Sequence, residues 1–409
     1  MGEVWWHLQE FLNHKIIRES KSPYASSIVI VCKKNGNLQM CIDYRVLNTH
    51  MVVDQYTVPL VQEALDCLGG SKWFTVLGPC SGYYQIPLRE ADKEKTAFIC
   101  PLGFFQFEYT LQGISGAPAM FQHLMEKVVR DMHLTQVLVY LDDLIVFGKT
   151  LEEHDERLLH VLDHLEAAGL KLLLDKCKFC QASVKYVGHI ISQNGVRTDP
   201  EKVKAVTTWQ CPSNYGELKR FLGFTGFYRR FVPDYEAITR PPNQLTRGYQ
   251  IGKSSKKRGA QDPTQGVQKV CSPSEPFGLW WEAHCEDAFH EIIRCFTEAP
   301  MLVYPDSNWP FILHTNASLS GLGVVLYQLH EGRQHPVAYA SRSLVPSETR
   351  YPAHKLEFLA LKWAVTEKFR DHLYGTTFQV WTDNNPLTYI LTSAKLDGTG
   401  LLWVAALAD

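Results

Sequence analysis

Two adjacent aspartates sit at the tip of a continuously apolar hairpin: Val137-Leu138-Val139-Tyr140-Leu141, then Asp142-Asp143, then Leu144-Ile145-Val146-Phe147. Neighbouring carboxylates repel, and holding them against buried strands is costly unless cations neutralise them. Mg²⁺ is the fitting cation, a hard ion that takes one or two carboxylates plus substrate phosphates. A pair of such ions clamps the attacking and leaving oxygens of a phosphoryl transfer. Asp-Asp alone is also a common turn. Its flanks, apolar on both faces as in a covered sheet, give the pair its weight.

A second pattern is Cys177-x-x-Cys180. That spacing is half of a zinc site, and no second CxxC or HxxxH follows nearby, so the pair reads as two free thiols. The 11 cysteines are odd in number and scattered from Cys32 to Cys295. This usage favours reduced thiols in an intracellular protein over a disulfide framework.

The elements that must position these groups are legible in outline. Ser26 to Cys32 and Leu38 to Ile42 read as strands around a tight turn at Lys33-Lys34-Asn35-Gly36-Asn37. Helices are expected at Ala117 to Arg130 and Glu152 to Ala168, the latter stopped by Gly169. Asn214-x-x-Glu217 is a capping box opening another helix, whose Lys219, Arg220, Arg229 and Arg230 suit either a solvated face or phosphate contact. Gly252 to Ser274 is polar and rich in Gly, Ser, Pro and Gln, the composition of a linker. Beyond it a helix at Ala283 to Phe296, strands at Phe311 to Thr315, Gly323 to Leu329 and Phe378 to Thr382, and a long helix from His354 to Arg370 make a separate α/β domain.

At about 150 residues per domain, 409 residues suggest about three domains. Hydrophobic residues at 45% and charged residues at 21% exclude wholesale disorder. No apolar run reaches the ~18 to 20 residues of a membrane helix, and the start of the chain lacks a signal peptide's apolar core. A net charge of −2 argues against a histone-like binder and leaves room for a local basic groove.

The runs SPYASSIVIVCKKNGNLQMCIDYRVLN, GAPAMFQHLME, YLDDLIVFGKTLEEH and YVGHIISQNGVRTDPEKVKAV with FLGFTGFYRRFV together resemble the reverse transcriptase of gypsy-type LTR retrotransposons. LHTNASLSGLG, KLEFLALKWAVTEKF and TDNNPLTYILTSAKL resemble the RNase H domain of the same Pol polyprotein. The resemblance implies an α+β right-hand polymerase of fingers, palm and thumb, followed by an α/β RNase H-like domain. It divides the chain into fingers and palm at 1–193, a thumb-like helical region at 194–250, a flexible basic linker at 251–276 and a C-terminally truncated RNase H-like domain at 277–409. It implies RNA template, DNA primer, RNA–DNA hybrid and dNTP as partners, no membrane, and Mg²⁺ in two-metal sites.

Carried over by motif, Asp142 and Asp143 match the metal-binding pair of the palm. Tyr83 matches the aromatic beneath the incoming sugar. Arg45, Lys33 and Lys34 match basic finger residues near the triphosphate, where cations neutralise phosphate charge. Gln112 lies in a nucleotide-pocket segment, and Gly188-His189 in the region that grips the primer end. In the RNase H-like part, Glu357 and Asp383 match the second and third of four catalytic, metal-binding carboxylates.

The departures bear on activity. The palm pattern Phe-x-x-Leu-Asp-x-x-Ser-Gly-Tyr appears as Phe74-Thr75-Val76-Leu77-Gly78-Pro79-Cys80-Ser81-Gly82-Tyr83, with Gly78 in place of the aspartate that bridges both metals. Pro79 is expected to remove a backbone donor from a central strand. Gln39 replaces a finger arginine. Asn316 stands at the first RNase H carboxylate, and the fourth is expected beyond Asp409. Three readings follow: a catalytically impaired polymerase and nuclease that keeps nucleic-acid affinity, an active reverse transcriptase and RNase H, or a non-catalytic binding or scaffold protein.

Overall fold

Four hydrogen-bonded sheets organise the computed structural model, which describes residues 2–32, 38–52, 60–80, 82–247, 274, 276–382 and 398–408. The Lys33-Lys34 turn, nearly all of the 251–276 linker and Asp383 lie outside the described residues. The chain forms two compact units, Met1–Val187 and Gly188–Asp409.

In the first unit, β1 (Ile17–Glu19), β2 (Ser26–Cys32), β3 (Leu38–Ile42), β5 (Phe98–Cys100) and β6 (Gly103–Phe107) form one sheet in the order β1-β6-β5-β2-β3. Its core gathers Tyr44, Phe98, Phe105 and Phe107 with Leu8 of the Gly2–Asn13 helix. The other sheet has the order β7-β8-β4-β9, from β4 (Trp73–Leu77), β7 (Val137–Tyr140), β8 (Asp143–Gly148) and β9 (Lys178–Gln181). Val137, Leu138, Val139, Leu144, Ile145 and Val146 are all fully buried. Their all-apolar run follows from cover on the sheet. Phe121, Met125 and Val129 repeat every four residues along the Ala117–Val129 helix and pack onto it with Val161 and Leu165 of the Leu151–Ala167 helix. Thr150 caps the latter helix by accepting from the Glu153 amide, and the Glu153 carboxylate accepts in return from the Lys149 amide.

β4 ends at Leu77, so Pro79 does not interrupt a central strand as its position in the motif suggested. It sits just past the strand end, where it bridges to Leu172, and the Gly78 carbonyl accepts from the Leu173 amide. Proline is tolerated at such a margin because no ladder bond requires its missing N–H.

The strand β10 (Ser183–Tyr186) ends the first unit, and the second opens with the hairpin β11 (His189–Ser192) and β12 (Gly195–Thr198), then the helices Pro200–Thr207 and Tyr215–Phe227. Asn214 accepts from the Glu217 amide, as the capping box requires. His189 is buried against Phe227, Tyr228 and Phe231. Further on, β13 (Phe311–Ser318), β14 (Gly321–His330), β15 (Arg333–Arg342) and β16 (Phe378–Trp381) form a sheet in the order β15-β14-β13-β16, antiparallel except for the parallel β13–β16 pair. The expected long helix is regular over Ala353–Trp363, passes through a π-helical turn at Ala364–Lys368 and ends with Arg370–Leu373. Its Leu359, Ala360 and Trp363 pack on Phe311, Leu313, Leu322 and Leu326. Arg229 and Arg230 are drawn into this unit's packing. The Arg229 guanidinium donates to the Ser341 carbonyl, and Arg230, 4% exposed, donates to that of Val337. Lys219 and Arg220 stay exposed.

Among the described residues no helix is long and apolar enough to cross a membrane.

Candidate active sites

The palm site grows from the β7–β8 turn. Tyr140 pairs with Asp143, which leaves Leu141 and Asp142 at the tip. Leu141 adopts the left-handed conformation, with φ of 52°, which a branched residue keeps only when its surroundings over-determine it. Gln122 is the determinant. Its side chain is 0% exposed, its Oε1 accepts from the Leu141 amide at 2.6 Å, and its Nε2 donates to the Val139 carbonyl at 3.1 Å. Composition and spacing did not single out Gln122. Its position in the GAPAMFQHLME run, six residues into a helix, was the only available signal.

Gly78 lies one residue beyond the Leu77–Leu144 pair, at the register position facing Asp143. The missing carboxylate of the family pattern therefore maps beside the aspartate pair. A side chain starting at Gly78 would meet Lys176: its Cβ would stand 2.6 Å from Lys176 Cβ and 3.3 Å from Lys176 Cδ. The Lys176 charge acts on both aspartates. Burial pushes the Asp142 and Asp143 carboxyls above the ordinary range, and repulsion from Asp142 adds to the shift at Asp143. Lys176 pulls both back only in part. Tyr83 hydrogen-bonds Asp142 and packs edge-on against Phe121 at 5.6 Å; burial pushes its phenol up to about 12.

The other expected palm and finger residues are dispersed. The Arg45 side chain is 88% exposed and makes a bidentate pair with Asp43 at 2.8 and 2.6 Å, which holds the Asp43 carboxyl at about 2. Gln112 is exposed in a turn. Asn48 ties that turn to the fingers, donating to the Gly113 carbonyl and accepting from the Ser115 amide.

In the second unit Glu357 is 5% exposed, and its Oε1 accepts from the Ala317 amide at 2.9 Å, one residue past Asn316. Asn316 is exposed, paired with Gly323. Asp383 lies outside the described residues, directly after Thr382. A cavity of about 490 Å³ is lined by His314, Asn316, Gly323, Trp381, Thr382 and Asp234. Asp234 is a residue that sequence reasoning missed. Its backbone is left-handed, with φ of 48°, and its Oδ1 lies close enough to clash with a Cβ placed on Gly323.

Neither set of described donors fits a pair of Mg²⁺ ions. Asp142 and Asp143 offer oxygens for one ion completed by phosphate, but Gly78 supplies no bridging ligand and Lys176 occupies that side. In the second unit an amide replaces the first carboxylate, and one oxygen of Glu357 is engaged by the backbone.

An apolar four-stranded palm with an Asp-Asp turn, followed in the chain by a β15-β14-β13-β16 sheet with a buried glutamate on its covering helix, defines a reverse-transcriptase body with an RNase H-like domain. The reverse transcriptase (RNA-dependent DNA polymerase) family matches residues 31–191, and the RNase H-like domain found in reverse transcriptase matches residues 281–380. The chain is 36% identical over 415 residues to the retrovirus-related Pol polyprotein from transposon opus of Drosophila melanogaster, covering 100% of this chain and 40% of that protein. Against the corresponding polyprotein from transposon gypsy of the same organism, identity is 34%, with 95% and 37% covered. The chain belongs to the reverse transcriptase and RNase H family of retrotransposon Pol polyproteins, and it spans 40% or less of the length of these relatives. The fold is shared with a foamy viral protease-reverse transcriptase dRH in complex with double-stranded DNA, at TM-score 0.80 and 21% identity, covering 100% of this chain and 68% of that one. The foamy viral protease-reverse transcriptase in complex with RNA/DNA hybrid matches at TM-score 0.71 and 21% identity, covering 98% and 51%.

Proposed function

We propose that this chain is a polymerase and RNase H-like body that keeps nucleic-acid affinity and has lost nucleotidyl transfer. The observation that carries the reading is the Gly78–Lys176 contact: a lysine side chain stands where a bridging carboxylate would have to begin. Metal stabilisation of a transferring phosphoryl group is worth several kcal/mol, so loss of a bridging ligand costs on the order of 10³-fold in rate. Lys176 cannot compensate, because an ammonium can pair with phosphate but cannot bridge metal ions as a carboxylate does. The relatives' family generally uses divalent metal ions, and here Asp142 and Asp143 would hold a single Mg²⁺, with Glu357 and Asp383 the candidates in the second unit.

In this reading RNA template, DNA primer and RNA–DNA hybrid remain ligands. Tyr83 lies under the sugar of a bound dNTP. By the motif, Arg45 is the described candidate for contact with its triphosphate, Lys33 and Lys34 are candidates outside the described residues, and Gln112 is the candidate for its pocket. Lys219 and Arg220 supply phosphate contacts whose strength falls with salt. Two measurements on one preparation test the proposal. Primer extension on an RNA template with Mg²⁺ should yield no product, while fluorescence anisotropy with the same primer–template should show binding that weakens steeply between low and high salt. Robust extension overturns the loss of catalysis, and absent binding reduces the chain to a scaffold.

A further inference from the structure

We infer that His154, Asp155 and Cys180 form a zinc-binding site on the outer edge of the palm sheet, apart from the Asp142–Asp143 pair. The three ligand atoms lie within 4.8 Å of one another, the one such group of His, Cys and acidic side chains among the described residues. His154 Nδ1 is 3.0 Å from Asp155 Oδ1, and Cys180 Sγ is 3.7 Å from the same oxygen. Zinc bond lengths in tetrahedral geometry put N and O ligands about 3.3 Å apart and S and O ligands about 3.6 Å apart. The two edges that meet at Asp155 Oδ1 match these values, and the His154 Nδ1–Cys180 Sγ edge lies within 4.8 Å, so the three atoms can converge on one ion that keeps an open position.

The fold builds this site deliberately. His154 is wholly buried with its Nε2 2.9 Å from Thr75 Oγ1, and the same Oγ1 accepts from the Cys180 amide at 3.0 Å. In the tautomer that donates Nε2–H to Thr75, Nδ1 is the nitrogen left to ligate a metal, and it is the one beside Asp155. Orientation of a ligating histidine through its other nitrogen is the usual supporting arrangement of a metal site. Cys180 arrives by a β-bulge. Phe74 pairs with Gln181 and Val76 with Lys178, so two residues of β9 oppose Thr75 alone. Bulges of this kind re-aim a side chain, and Cys180 has a left-handed φ of 50° there. Gly148 completes the construction, because a Cβ at that position would stand 2.8 Å from the His154 backbone.

The site also revises the Cys177-x-x-Cys180 pattern. Cys177 is not a ligand; its thiol donates to the Leu173 carbonyl and packs in the palm core. The ligand pair that the sequence lacked nearby comes from the start of a helix some 25 residues earlier. The inference does not depend on whether the chain polymerises.

The test uses the full chain, reduced and metal-free, titrated with Zn²⁺ and, as a spectroscopic substitute, Co²⁺. One equivalent should bind, the Co²⁺ form should show thiolate-to-metal charge transfer, and thermal unfolding should shift upward with Zn²⁺. Cys180→Ser should abolish the charge-transfer band, Cys177→Ser should leave it intact, and the positioning variant Thr75→Val should weaken affinity about 10- to 100-fold without removing the band. Asp155 is exposed, so Asp155→Asn keeps the fold and should lower affinity at least about tenfold. No stoichiometric binding overturns the inference, as does a band that survives Cys180→Ser.

Discussion

The palm and the RNase H-like sheet each carry a neutral residue, Gly78 and Asn316, where the motif pattern has an aspartate, and the surroundings of the two positions differ. At Gly78 the vacated side is filled from another loop by Lys176, whose Cβ, close to its own backbone, makes the contact. At Asn316 the position keeps a polar side chain, and a carboxylate from a different segment, Asp234, comes to the same cavity. The first change builds a cation into the site, while the second leaves acidic character around it. The palm is therefore the more firmly altered of the two, since an atom near the backbone must move before a carboxylate can return.

The hairpin is where the largest effect is expected. Gln122→Ala removes the partners of the part-buried Leu141 amide and the buried Val139 carbonyl, which should cost about 2–6 kcal/mol of unfolding free energy at roughly 1–3 kcal/mol per orphaned group. Urea denaturation reads this directly, and a loss below ~1 kcal/mol would mean that the turn holds itself.

Next comes the contrast between the two glycines. Gly78→Ala drives a Cβ against Lys176 Cβ and should cost about 1–3 kcal/mol, as overpacking does. Gly323→Ala has the shorter nominal approach, 1.9 Å, yet it meets the end of the exposed Asp234 side chain, which can swing away; the cost should stay under ~1 kcal/mol. Gly78→Asp alone should for the same reason fail to restore extension, and recovery of activity by that single change would break the comparison. A reversed ranking in thermal unfolding would do so as well.

The smallest effect is electrostatic. In the folded chain Asp142 and Asp143 bind protons more tightly than in the unfolded chain, so their contribution makes stability fall as pH rises from the ordinary carboxyl range through their raised values. Lys176→Ala should widen that window upward, read by carboxyl NMR titration. Asp43 has the opposite sign: held at about 2 by Arg45, it contributes stability above the ordinary range that is lost as pH falls toward 2. A downward move of Asp142 in Lys176→Ala would show that the ammonium does not face the pair.

Much of the architecture was legible because it rests on local rules. Val137 to Phe147 read as a buried hairpin, Asn214 and Glu217 announced a helix start, and His354 to Arg370 read as a long helix. Where reading along the chain failed, the partner was remote. Pro79 looked disruptive until the strand was seen to stop at Leu77. Arg229 and Arg230 looked like a basic surface, and their guanidiniums turn to the carbonyls of Ser341 and Val337. The long helix is interrupted by a π-turn that periodicity does not disclose.

By itself the sequence determined which side chains exist and which local elements they favour: the aspartate pair, the glycine at 78, the asparagine at 316, the CxxC spacing and the apolar strands. Only the tertiary structure decided what stands beside them. Lys176 reaches Gly78 across roughly a hundred residues, Asp234 reaches the Asn316 cavity from a helix start, and Cys180 meets His154 through a bulge. The physical reason is range. Propensity and periodicity act over a few residues, whereas charge and ligand geometry act over a few ångströms, and folding alone brings distant residues within that distance.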